Sequence, residues 1–183
     1  GHTDNHPGGS VRYTKYRIPL RQGLHTYKLN IKPDKRNTDP NANESGVRPI
    51  LMPDYIGEVY PFRYCELEGY NGFLHTHDIT RNSVNYPFDN GASWFSSNDT
   101  ILNQVWNLCK HSIQATSFCG VYVDGDRERI PYEADAYINQ LSHYGTDLEF
   151  TMASYSVDYL MEWPTWPTEW IRQSIIMLWN DNI

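Results

Sequence analysis

The hydrophobic pattern changes its period once along this chain of 183 residues. Apolar and polar residues alternate in TYKLNIK, residues 26–32. In FRYCELE, residues 62–68, a strand would place Arg63, Cys65 and Leu67 on one face and Phe62 and Tyr64 on the other. After residue 97 the apolar residues recur every three to four positions, as in ILNQVWNLC, residues 101–109. Alternation is typical of half-buried strands, and the longer period is typical of amphipathic helices. The sequence therefore predicts an α+β chain in which a β part precedes an α part.

The β part is predicted to end near residue 92. The run GYNG, residues 69–72, lies between two strand-like segments and predicts a hairpin. Residues 33–46 are polar and rich in turn formers, which predicts a long loop. We therefore interpret residues 1–92 as a β-sandwich segment, the C-terminal part of an antiparallel sandwich.

Four helices are predicted in residues 93–183. The first follows the candidate capping residues 97–99, because Ser, Asn and Asp side chains accept hydrogen bonds from the first turn of a helix. The second is expected over residues 131–143, beginning at a proline that suits a first helical turn. The third is expected to begin near Thr146 and the fourth to run over about residues 168–179.

The composition limits the classes of function. The formal net charge of -7 argues against a nucleic-acid partner, which would favour a basic surface. Three cysteines without a CxxC spacing predict neither a disulfide framework nor a zinc site. No apolar run reaches the length of a membrane span, and the polar start GHTDNHPGGS is not a signal peptide. An aromatic content of 14% suits either a surface that binds sugars or an aromatic-rich core.

The most unusual stretch is VDGDRERIPYEAD, residues 123–135, with five acidic residues and two arginines. One interpretation is an EF-hand-like calcium loop from Asp124 to Asp135, although Arg129 occupies the sixth position, where such a loop needs glycine. A second is a set of exposed ion pairs that contribute little to stability. A third is glycoside hydrolysis, in which one carboxylic acid protonates the leaving oxygen and a second carboxylate acts on water or carbon.

This stretch resembles the acidic signature of the α-L-rhamnosidases of glycoside hydrolase family 78. In that family an aromatic residue follows the general acid by four positions, and an aspartate follows it by seven. The same spacing here implies that Glu128 is the general acid, that Tyr132 forms an aromatic wall of the sugar site, and that Asp135 binds sugar hydroxyls.

The resemblance implies three further substrate-binding residues, Asp124, Arg127 and Trp170. Asp124 matches the first aspartate of the signature with a spacing one residue short, and Asp126 stands where the family often has proline. Residues 86–113 are similar to the family's passage from a β-sandwich into the first helix of an (α/α)6 barrel. The implied fold is therefore a sandwich segment followed by the first helices of that barrel.

The resemblance also implies the reaction. The expected activity is hydrolysis of terminal α-L-rhamnosyl residues with inversion, without cofactor or metal, on a rhamnose-containing oligosaccharide, polysaccharide or glycoside. A periplasmic or extracellular location is implied, with the cytoplasm as the alternative. The alternatives in function are a non-catalytic carbohydrate-binding protein, a different (α/α)6-barrel glycosidase and a calcium-stabilised module.

The second carboxylate of such a reaction is not found in the sequence. The family's general base lies far downstream, and no residue after Trp170 resembles it. We therefore expect residues 93–183 to be the N-terminal part of a six-helical-hairpin (α/α)6 catalytic domain. The 183-residue chain alone is expected to be inactive.

Overall fold

Helices dominate the second half of the protein. The computed structural model describes residues 14–30, 48–126, 128–166 and 168–182. The described helices are α1 (Thr100–Thr116), α2 (Glu133–Tyr144), α3 (Thr151–Glu162) and α4 (Thr168–Asp181). The four helices predicted from the hydrophobic period are confirmed in number and order over these residues.

The predicted β-sandwich is wrong. Residues 14–30 and 48–92 contain no strand and run as coil with turns. Their backbone hydrogen bonds either close turns, as from Gly57 to Pro53 (3.0 Å), or reach the helical half, as from Ile50 to Arg129 (2.9 Å). Alternating residues can form a sheet only where a second strand supplies the ladder, and no such ladder forms among these residues. Their apolar side chains are accordingly exposed, among them Leu29, Phe62, Tyr64 and Leu67.

Two smaller predictions concern the same half. The hairpin expected around residues 69–72 is also wrong, since the segments on either side of this turn are coil. The long loop expected for residues 33–46 lies outside the described residues.

The first helix begins at one of its predicted caps. Oδ1 of Asp99 accepts hydrogen bonds from the backbone N–H groups of Ile101 (2.8 Å) and Leu102 (3.4 Å). These N–H groups have no partner within the helix, so the aspartate satisfies donors that the first turn leaves open. The capping prediction is confirmed for Asp99.

The third helix begins later than predicted. The N–H groups of Thr146 and Asp147 both bond to the carbonyl of His143 (2.9 Å each), so these residues complete the end of α2. Glu149 then accepts a hydrogen bond from the N–H of Thr151 (2.9 Å), where α3 begins. The expected start at Thr146 is therefore wrong because that residue belongs to the preceding helix end.

The central helix is α2. It packs against α1, α3 and α4, and α3 also packs against α4. Buried Gln140 links α2 to α4 by donating a hydrogen bond to the carbonyl of Met177 (2.9 Å). Tyr86 and Phe88, which precede α1, pack against the core. The core itself consists of Ile113, Tyr122, Ala136, Met152, Ala153, Val157, Leu160 and Met177.

Apolar side chains are exposed on all four described helices, and most of them lie on α1 and α4. Those on these two helices are Ile101, Leu102, Val105 and Leu108 on α1, and Ile171, Ile175, Ile176, Leu178 and Trp179 on α4. None of the helices in the described part of the chain combines the length and apolarity needed to cross a bilayer.

Candidate active site

The acidic stretch forms a closed loop immediately before α2. The backbone N–H of Asp124 bonds to the carbonyl of Ile130 (3.1 Å), and Oδ1 of Asp124 accepts from the N–H of Ile130 (3.3 Å). A further bond joins the N–H of Arg129 to the carbonyl of Gly125 (3.1 Å). We call residues 124–130 the acidic loop. The carboxylate of Asp124 thus helps to close this loop.

The side chain of Arg129 fills the acidic loop and is fully buried. Its Nε and Nη2 donate to Oδ1 of Asp126 (3.0 and 2.7 Å). Nη2 also donates to the carboxylate of Glu58 and to the carbonyl of Val59 (2.9 Å). Burial opposes the charge of this guanidinium, but the hydrogen bonds to Glu58 and Asp126 outweigh it and raise the pKa of Arg129. The loop is therefore held from inside by an ion-pair cluster.

The calcium interpretation is not supported by this arrangement. Arg129 has the positive φ of +56° that a glycine provides in an EF-hand loop, but its side chain occupies the space among the carboxylates. Asp126, a predicted ligand of that interpretation, is paired with the guanidinium. Within the described residues, no three His, Cys, Asp or Glu side chains are grouped so as to hold a metal ion.

Glu128 and Tyr132 are brought together as their spacing suggests. Tyr132 is the residue that precedes α2, and its hydroxyl donates a hydrogen bond to Oε2 of Glu128 (2.8 Å). Both residues are half-buried, and this hydrogen bond constrains the direction of the carboxyl group. Arg127, predicted to bind substrate, lies outside the described residues.

Three aromatic rings next to this hydrogen bond contact one another in order, from Tyr132 to Trp166 to Trp170. The ring of Tyr132 lies 6.0 Å from that of Trp166 at an angle of 89°, and Trp166 lies 5.5 Å from Trp170. We call Tyr132, Trp166 and Trp170 the aromatic row. Trp166 is the most exposed of the three, with 44% of its surface open to solvent. Such broad, partly apolar rings suit the flat faces of a sugar.

Glu133 lies behind the aromatic row and is fully buried. Its carboxylate accepts hydrogen bonds from the N–H (2.7 Å) and the hydroxyl (2.8 Å) of Thr165, and from the N–H of Trp166 (3.3 Å). The hydroxyl of Thr165 also lies 3.0 Å from the carbonyl oxygen of Pro131. The start of α2 is thereby joined to the loop before α4.

The acidic loop and most of the aromatic row fall within a segment that matches a known family. Residues 90–168 match the family model described as the bacterial alpha-L-rhamnosidase 6 hairpin glycosidase domain. The resemblance to the rhamnosidases is confirmed for this segment. The match spans less than half of the chain. No curated protein and no solved structure matches the chain.

The rhamnosidase segment supports a glycosidase domain and a glycoside substrate. Two contributors to the site lie outside it in sequence. Glu58, which pairs with Arg129, precedes the segment, and Trp170 follows it. The candidate site is therefore completed by residues on both sides of the matched region.

Asp135 lies two residues after Glu133 in the first turn of α2 and is half-buried. Residues two apart in a helix point about 200° away from each other, so Asp135 does not share the direction of Glu133. This difference separates the two acids of the first turn, since Glu133 faces the loop before α4.

Some of these residues carried a recognisable sequence signal and others did not. Trp166 belongs to the run WPTWPTEW, where the pattern favoured Trp170 as the sugar contact. Glu133 carried only the signal of an acid in a first helical turn, where the positive end of the helix dipole favours it. Nothing local indicates that Thr165, 32 residues later, is its partner.

Proposed function

We propose that this protein provides the acid side of a glycosidase site that cleaves terminal α-L-rhamnosyl residues with inversion. The observation that carries the proposal is the hydrogen bond from Tyr132 to Glu128 beside the aromatic row, within the rhamnosidase segment. In this mechanism Glu128 gives its proton to the glycosidic oxygen as the bond from that oxygen to the anomeric carbon breaks. Water attacks the anomeric carbon from the opposite face and loses a proton to a second carboxylate.

The other residues act on the bound sugar. The aromatic row contacts the apolar face of the sugar, including the methyl group that distinguishes rhamnose from hexoses with a hydroxymethyl group. Asp135 and Arg127 bind hydroxyl groups. Asp124 keeps the acidic loop closed, which supports the direction of Glu128.

The second carboxylate is proposed to lie beyond this chain. Asp181, the last acidic residue of the sequence, accepts hydrogen bonds from the hydroxyls of Tyr144 (2.8 Å) and Ser154 (3.0 Å) and is part of the packing between helices. We propose that residues 93–183 are the N-terminal part of a six-hairpin domain and that the chain alone does not hydrolyse rhamnosides without an external nucleophile. The exposed apolar side chains of α1 and α4 support this, because the apolar face of an amphipathic helix normally packs against a neighbouring element.

An external nucleophile allows the role of the acid to be tested in the absence of the base. Azide attacks the anomeric carbon without a base, and the product is an inverted rhamnosyl azide. We expect azide to accelerate cleavage of 4-methoxyphenyl α-L-rhamnoside, whose leaving oxygen needs the proton of Glu128. Glu128→Gln should slow this azide-assisted cleavage by about 100-fold or more, the usual contribution of a general acid. The 2,4-dinitrophenyl rhamnoside should lose far less, because its leaving group departs without a proton.

The control is Glu66→Gln, which alters an exposed glutamate away from the acidic loop and should leave both rates unchanged. Equal losses on both substrates in Glu128→Gln would remove this residue from the acid role. Fast hydrolysis without azide would contradict the missing base. Sugar binding without cleavage under any condition would favour the non-catalytic carbohydrate-binding alternative, and preference for another aryl glycoside would favour a different glycosidase.

A further inference from the structure

The hydrogen bonds of Glu133 connect the two backbone segments that carry Tyr132 and Trp166 of the aromatic row. Glu133 directly follows Tyr132 in sequence, and Thr165 directly precedes Trp166. The hydroxyl of Thr165 is also close to the carbonyl of Pro131, the residue before Tyr132. Both neighbours of Tyr132 therefore lie within hydrogen-bond distance of the residue that precedes Trp166.

The buried carboxylate of Glu133 is stabilised by these hydrogen-bond donors, and the donors in turn have it as their acceptor. Burying a charge is unfavourable unless hydrogen bonds or an opposite charge compensate for the loss of water. Two backbone N–H groups and one hydroxyl provide this compensation, and Glu133 stands at the first residue of α2, where the helix dipole favours negative charge. Removal of the carboxylate would leave the N–H groups of Thr165 and Trp166 without this acceptor.

We propose that Glu133 is a positioning residue that sets the distance between Tyr132 and Trp166 for sugar binding. It acts through the backbone of the loop before α4 and does not touch the sugar. The inference rests on the proposed function and deepens it, because it adds a residue on which affinity depends. The proton donor is held separately, since the hydroxyl of Tyr132 bonds to Glu128 on its own.

Because Glu133 and Tyr132 act through different hydrogen bonds, substitution of Glu133 is predicted to change sugar affinity more than the rate of cleavage. In Glu133→Ala the loop before α4 loses its acceptor and Trp166 moves relative to Tyr132. We expect the Kd for methyl α-L-rhamnoside to rise by about tenfold, which corresponds to about 1.4 kcal/mol. The rate of azide-assisted cleavage at saturating 4-methoxyphenyl rhamnoside should stay within about threefold, because the acid keeps its own support.

Matched variants make the test specific. Thr165→Val removes the hydroxyl and keeps the backbone donors, so it should raise the Kd as well, while Thr165→Ser keeps the hydroxyl and should restore it. Glu133→Gln keeps one carbonyl acceptor and should bind nearly as tightly as the wild type. The control is Glu149→Ala, because Glu149 also accepts from the N–H and hydroxyl of a threonine, but at the start of α3. It should leave the Kd unchanged.

The measurements are titration calorimetry for the Kd, azide-assisted cleavage for the rate, and near-ultraviolet circular dichroism for the aromatic rings. If Glu133→Ala does not fold, the pair Thr165→Val and Thr165→Ser decides. An unchanged Kd in folded Glu133→Ala or, failing that, in Thr165→Val overturns the inference, as does a saturating rate that falls in step with affinity. In either case rhamnoside binding by the wild type still stands.

Lack of any rhamnoside binding by the wild-type protein overturns the proposed function instead. The aromatic spectrum then decides the positioning role. A spectral change in the Glu133 and Thr165 variants that is absent from Glu149→Ala supports it, and identical spectra overturn it.

Discussion

The hydroxyl of Tyr132 donates a hydrogen bond to Glu128 while the ring of the same residue faces Trp166. One side chain therefore serves both the acid and the aromatic row. We expect Tyr132→Phe to keep the affinity for methyl α-L-rhamnoside within about twofold, because the ring remains. Azide-assisted cleavage of the 4-methoxyphenyl rhamnoside should fall about tenfold, because the carboxyl group loses the bond that fixes its direction.

Tyr132→Ala should impair both binding and cleavage, since ring and hydroxyl are lost together. Tyr155→Phe, which removes an exposed hydroxyl on α3, is the control and should change neither. If Tyr132→Phe weakens binding as much as Tyr132→Ala does, the hydroxyl rather than the ring contacts the sugar.

Trp166 is predicted to contribute more to sugar affinity than the neighbouring Trp163. Trp166 lies between the rings of Tyr132 and Trp170, with contacts to both. Loss of aromatic contact corresponds to about 1 kcal/mol, so Trp166→Ala should raise the Kd for methyl α-L-rhamnoside about fivefold. Trp163→Ala, which removes an exposed tryptophan from the same loop, serves as the control in titration calorimetry. Equal effects of the two variants would argue against the aromatic row as the binding surface.

The ion-pair cluster in the acidic loop is predicted to matter for stability. Arg129→Met should lower the free energy of unfolding by about 3–5 kcal/mol, because Asp126 and Glu58 are left as buried charges without their partner. Urea denaturation measures this loss. Arg172→Met, on the exposed surface of α4, should change the free energy by no more than about 0.5 kcal/mol.

A triple variant distinguishes buried charge from lost packing in this cluster. Arg129→Met combined with Asp126→Asn and Glu58→Gln removes the charges together, so it should be more stable than the single variant. If the triple variant is less stable than Arg129→Met, packing of the long side chain is the larger contribution.

His143 is predicted to make stability depend on pH. Burial lowers the pKa of His143 below its usual value of 6.5, although the nearby Asp147 raises it in part. The folded protein therefore binds this proton less readily than the unfolded chain. The stabilisation is fully present above about pH 6.5 and is lost as the pH falls through the lower folded pKa. The melting temperature should accordingly fall when the pH is lowered from about 7.5 to 5.

His143→Gln should lower the melting temperature at pH 7.5, since the bond between Nδ1 and the hydroxyl of Tyr122 (2.6 Å) is disturbed. It should also flatten the dependence on pH. His111→Gln, which alters an exposed histidine on α1, should keep the wild-type slope. The same slope in wild type and His143→Gln would assign the effect to other groups.

The helices were predictable because their signals are local. Asp99 caps α1 through N–H groups only two and three residues away, and this distance is visible in the sequence. The start of α3 was not predictable in the same way. Thr146 and Asp147 look like capping residues, but their N–H groups are taken by the carbonyl of His143 at the end of α2.

The β-sandwich could not be predicted from alternation alone. The pattern in residues 26–32 predicts which side chains would share a face of a strand, but it does not show whether a second strand pairs with it. In the described part of this region, Tyr27 and Leu29 are both exposed, and the backbone has no ladder.

The candidate site also contains contacts between residues close in sequence, which could be predicted, and contacts between distant residues, which could not. Glu128 and Tyr132 are four residues apart, and their spacing in the sequence already placed them together. The contact between Glu133 and Thr165 depends on how α2 packs against the loop before α4, which no local pattern encodes. The proximity of Glu128 and Tyr132 could therefore be predicted from the sequence, and the contact between Glu133 and Thr165 could not.

The bond from Arg129 to Glu58 ties the acidic loop to a residue 71 positions earlier in the chain. Closing a chain segment of that length loses about 4 kcal/mol of conformational entropy, a loss similar in size to the destabilisation expected when one partner of a buried ion pair is removed. Helices form through contacts between residues close in sequence, whereas the bond between Arg129 and Glu58 is a long-range contact that forms more slowly. We therefore predict that the helices assemble first during folding and that the loop that carries Glu128 reaches its final shape last. A cut in the backbone between residues 61 and 83 would leave the helices on one fragment and would make this last step an association between two fragments, which depends on their concentration.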